Sequence, residues 1–82
     1  MPHIVIEEIW STSSAADERR LLRSSARPLF AGRRQAAYEY AKQRASEYDS
    51  HRFNEDAERS YWWGRNAGDR ATHRFVIEPA PA

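Results

Sequence analysis

The sequence predicts a single two-layer α+β domain spanning 1–78, in which one long helix packs across a small, mainly antiparallel sheet of three or four strands in β-α-β-β order. Three observations lead there. The chain opens on an apolar, β-branched run, carries an alanine stripe at helical spacing near its middle, and ends on two aromatic and β-branched runs separated by turn formers. With 82 residues there is room for one core only.

His3 to Trp10 reads as the first strand, because Ile4, Val5, Ile6, Ile9 and Trp10 favour a pleated surface. Apolar residues fall on both parities, as expected of a strand covered on two faces. Residues 15–24 read either as a short helix carrying Leu21 and Leu22, with Ser14 and Asp17 at its start, or as a ragged strand. Arg27-Pro28 disfavours helix before the proline. From Arg33 to Tyr48, Ala37, Ala41, Ala45 and Tyr48 recur at helical spacing, which predicts a helix whose small side chains lie close against the sheet.

The acidic stretch from Asp49 to Ser60 reads as a loop with Phe53 tucked in. Tyr61 to Arg65 and Thr72 to Glu78 form two strands of an antiparallel hairpin around Asn66-Ala67-Gly68-Asp69. Residues 79–82 form a flexible tail.

Leu, Ile, Val and Phe together supply only twelve residues, yet three Trp, four Tyr and three Phe carry large apolar area, and the formal net charge is +1. That balance predicts a folded chain with little stability to spare. Zero Cys excludes disulfides, thiolate metal sites and a Cys nucleophile. Lys42 is the sole lysine beside twelve Arg, a usage that GC-rich bacterial genomes produce. No run of apolar residues spans a bilayer and residues 1–16 lack the pattern of a secretion signal, so the expectation is a cytoplasmic protein.

The predicted sheet carries more apolar side chains than one helix covers. On this reading Ile4, Ile6, Tyr61, Trp63, Phe75 and Ile77 face the helix, while Val5, Ile9, Trp62 and Val76 face away, with Arg65 and Arg74 at the rim. The uncovered side is either an interface, for a second copy or another protein, or is blanketed by Leu21, Leu22, Leu29 and Phe30 of the same chain. The leading functional expectation is therefore a non-enzymatic binding or assembly module acting through the face opposite the helix, as a homodimer or on a protein partner.

Two alternatives rest on other residues. Arg19, Arg20, Arg23, Arg27, Arg33 and Arg34 concentrate positive charge between 19 and 34, a phosphate-contacting pattern with Tyr61 or Trp62 available to stack on bases. An overall charge of +1 argues against dedicated nucleic-acid binding. Met-Pro-His-Ile-Val-Ile-Glu at the start resembles the first strand of the tautomerase superfamily. That resemblance implies an exposed Pro2 amine acting as general base in keto-enol isomerisation once Met1 is removed. It covers Pro2 to Glu7 alone; the family's early helix and glycine-containing carboxy-terminal hairpin are not matched. His3, His51 and His73 lack metal-ligand spacing, the serines lack a nucleophile elbow and the glycines lack a phosphate loop, so no cofactor or metal is expected.

Overall fold

A computed structural model describes residues 2–11, 20–55 and 59–81. It is a six-stranded antiparallel sheet with one 12-residue helix, in the order β1 (His3–Ser11), β2 (Leu21–Ser24), β3 (Phe30–Gly32), α1 (Arg34–Ala45), β4 (Ser50–Glu55), β5 (Ser60–Arg65) and β6 (Ala71–Pro79). This corrects the expectation of a long helix on three or four strands: the sheet dominates and the helix is short.

The strands lie side by side as β2-β1-β6-β5-β4, and β3 pairs with β1 beside β2. β1 and β6 pair over their full lengths, from His3 opposite Pro79 to Ser11 opposite Ala71. β2 and β3 share the outer edge of β1, β2 against Glu8 to Trp10 and β3 against His3 to Val5. Between them the chain stays attached, since Ser25 N–H donates to Glu7 O at 2.8 Å and Leu29 N–H to Val5 O at 2.8 Å.

β3 and β4 escaped the sequence reading, and β2 was legible only as the ragged-strand alternative for residues 15–24, for one reason. β2, β3 and β4 are edge strands with little buried surface, so they lack the alternation of apolar and polar residues that marks a half-buried strand. In β4 only Phe53 is partly buried, which is why its charged sequence reads as a loop. The helical alternative for 15–24 is replaced by strand at Leu21–Ser24; residues 15–19 lie outside those described. The hairpin of β5 and β6 forms as expected, with Asp69 N–H donating to Asn66 O at 3.1 Å and Gly68 at φ 81° closing the turn. Pro79 belongs to β6, and Ala80 N–H donates to Pro2 O at 3.0 Å.

α1 packs on one face of the sheet through fully buried Ala37, Ala41 and Ala45, which meet Val5, Phe75 and Ile77. The alanines let the axis come close, so the strands supply the bulk of the contact. Close approach also demands Gly64: a Cβ there would sit 2.5 Å from Tyr48 Cδ2 and 2.9 Å from Ala45 O. Aromatic side chains frame the stripe, with Phe30 stacked on Tyr40 at 5.1 Å and Tyr38 edge-on to Phe53 at 5.1 Å and to Trp62 at 5.8 Å.

Candidate functional site

The register decides which residues face away from the helix. Val5 pairs with Ile77 and Trp62 with Phe75, so all four point toward α1. Ile6 pairs with Val76 and Val76 with Tyr61, which puts them on the other face together with Ile4, Glu8, Trp10, Trp63, Arg65 and Arg74. The expected assignment is thus corrected for Val5, Ile9 and Trp62, which share the helix side, and for Ile4, Ile6, Tyr61 and Trp63, which do not. Val76, Arg65 and Arg74 lie opposite the helix as expected. Parity along one strand says which residues share a side; only cross-strand register says which sides match, and register is not written in one strand's sequence.

Among the described residues no helix or strand lies over the helix-free face, yet Ile4, Val76 and Tyr61 are buried there. Charged and aromatic side chains do the covering. Arg59 Nη2 donates to Glu8 Oε2 at 2.7 Å and to Glu78 Oε1 at 3.3 Å, and Arg59 Nη1 donates to Glu8 Oε1 at 3.1 Å. Glu8 pairs with Arg74 and Glu78 with Ile4, one row either side of the Ile6–Val76 pair, so a guanidinium holding both carboxylates passes over that pair. Trp10 Nε1 also donates to Glu8 Oε1, at 3.0 Å. Burial pushes the Glu8 carboxyl up, but the hydrogen bonds from Arg59 and Trp10 and the charges of Arg59 and Arg74 outweigh it and hold the group below the usual carboxylate range.

Arg74 completes the surface. Its guanidinium carbon lies 4.5 Å from the Trp10 ring centroid and 4.9 Å from that of Tyr61, a double cation–π contact that fixes a long side chain in place. Around it Ile6, Trp10 and Trp63 keep part of their surface in water, and Leu21, paired with Trp10, is 44% exposed. Arg65 and Arg52 extend the same face toward β4, both exposed. The sequence reading missed Glu8, Arg59 and Glu78. One signal was available: Glu8 and Glu78 share parity with Ile4 and Val76 on a central strand pair, and two carboxylates half-buried on one face call for a cation.

On the helix side, beyond the end of α1, a cleft of about 350 Å³ is lined by Glu7, Ile9, Arg23, Ser24, Ser25 and Ala26. Glu7 Oε2 stands 2.9 Å from His73 Nδ1, and the Tyr48 ring stacks on the imidazole at 4.8 Å. Burial and the nearby Glu7 charge push the Tyr48 hydroxyl up. Among the described residues no three His, Asp or Glu side chains converge where a metal ion would sit.

The arginine segment is spread out. Arg20, Arg23, Arg27, Arg33 and Arg34 are all exposed, strung along the β2–β3 edge and the start of α1; Arg19 lies outside the described residues. Pro2 is exposed at the head of β1. The described residues contain no helix long and apolar enough to cross a membrane. No known family model, curated protein or solved structure matches this chain.

Proposed function

We propose that this protein is a non-enzymatic binding module whose helix-free sheet face docks a protein partner. The observation that carries this reading is Arg74 clamped between Trp10 and Tyr61 on a face that no described element covers. Trp, Tyr and Arg are the side chains that dominate binding energy at protein interfaces, and here Arg74 packs against both rings within the chain itself. Arg59 and Arg74 together balance Glu8 and Glu78, which leaves Arg52 and Arg65 to set the sign of the surface. The partner segment is therefore acidic, with apolar side chains to meet Trp10, Trp63 and Leu21.

Selection of random peptides displayed on phage tests this. Acidic sequences with apolar flanks should be enriched on the wild-type protein and should lose roughly tenfold or more in affinity on Trp63→Ala or Arg74→Ala. Peptides that bind both variants unchanged, or a selection without enrichment, would overturn the reading.

A further inference from the structure

The outer edge of β4 is the second surface left open. β4 ends the sheet order, and among the described residues no strand pairs with its outer side. The opposite edge of the sheet is blunted, since β1 is covered there by two short strands with an interruption between them. β4 instead keeps an unbroken register with β5 from Ser50 to Glu55, without bulge or proline. Its exposed backbone is ready to accept another strand.

We infer that this edge pairs with β4 of a second copy, with Phe53 on the two-fold axis. Two identical antiparallel strands in one sheet are related by an axis perpendicular to it, which brings residues of the same parity opposite each other. Centring on Phe53 sets His51 of one copy against Glu55 of the other, twice over, and Arg52 against Asn54. Centring on Arg52 would place that guanidinium against its own copy, and centring on Asn54 would shorten the paired stretch within β4 from about five residues to three. Charge thus selects one register. Phe53, already packed against Tyr38 and Trp62, would gain its counterpart as a further apolar contact. Because the axis is perpendicular to the sheet, both helix-free faces end on the same side of one continuous sheet. The pairing would present the docking surface proposed above in two copies, although it rests on the β4 edge and shares only Arg52 with that surface.

The absence of cysteine makes the register directly readable. Under mild oxidation, an equimolar mixture of Arg52→Cys and Asn54→Cys should give the cross-linked heterodimer, whereas either variant alone should give little, because only directly opposite residues meet disulfide geometry. Light scattering should show twice the 9.6 kDa chain mass at high protein concentration. Glu55→Lys should weaken dimerisation roughly tenfold, and His51→Glu combined with Glu55→Lys should restore it. Trp63→Ala should leave the cross-linking unchanged, which separates this inference from the docking face. A monomer at every concentration, or Arg52→Cys cross-linking to itself as readily as to Asn54→Cys, would overturn it.

Discussion

Arg59 and Glu8 stand 51 positions apart in the chain and meet in a two-pronged ion pair across the helix-free face. The Glu8 side chain is 12% exposed and that of Arg59 32%, so the pair is shielded on the carboxylate side. Removing the cation strands a largely buried charge, which costs more than the pair contributes. Arg59→Ala should therefore lower stability by about 2 kcal/mol in urea titrations. A change below the error of the measurement would mean that the bridge does not hold the face.

The same carboxylate gives a pH dependence. Its folded pKa is depressed, so the stability it contributes is present above the ordinary carboxylate range and is lost as pH falls through that range toward the lower folded value. Thermal melts of the wild type should lose stability on acidification through that window, and Glu8→Gln should flatten the dependence while lowering the plateau at neutral pH. Parallel curves for the two proteins would remove Glu8 as the cause.

Trp62 and Trp63 are adjacent but answer to different demands. Trp62 packs against Tyr38 and Phe53, and its Nε1 is buried without a hydrogen-bond partner among the described residues. Trp62→Ala should cost about 3 kcal/mol of folding stability, while Trp63→Ala on the helix-free face should cost less than about 1 kcal/mol. Equal losses in chemical denaturation would show that the two sheet faces are not distinguished as described.

Gly64 is fixed by steric contact. An added methyl would run into the Tyr48 ring and the Ala45 carbonyl, both of which belong to the turn that ends the helix. Gly64→Ala should destabilise by about 1–3 kcal/mol and shift the Tyr48 and His73 side-chain resonances, because those rings are stacked. Unchanged resonances would place the helix end elsewhere.

What was legible in the sequence follows how strongly each segment is buried. The hairpin of β5 and β6 and the alanine stripe of α1 were legible because Ala37, Ala41, Ala45, Phe75 and Ile77 carry the core and therefore the pattern. β3 and β4 were not, and β2 was so only as one of two alternatives, because edge strands bond through backbone and their side chains are free to be polar. The helix-free face was legible as a surplus of apolar side chains, while its membership was not: Val5 and Trp62 changed sides with the register, and Arg59 arrives from a stretch with no periodicity at all. The parity of Glu8 and Glu78 signals that a cation is needed, but local spacing does not say which residue supplies it.

The central claim is that the helix-free face, with Trp63 and the clamped Arg74, is where a partner binds. Calorimetric titration of a selected acidic peptide into the wild type, Trp63→Ala and Arg27→Ala tests it most directly. The account predicts roughly tenfold weaker binding to Trp63→Ala and unchanged binding to Arg27→Ala, which removes an exposed charge from the β2–β3 edge. Loss of affinity in Arg27→Ala with full affinity in Trp63→Ala would contradict it and move the binding surface to the arginine-lined rim.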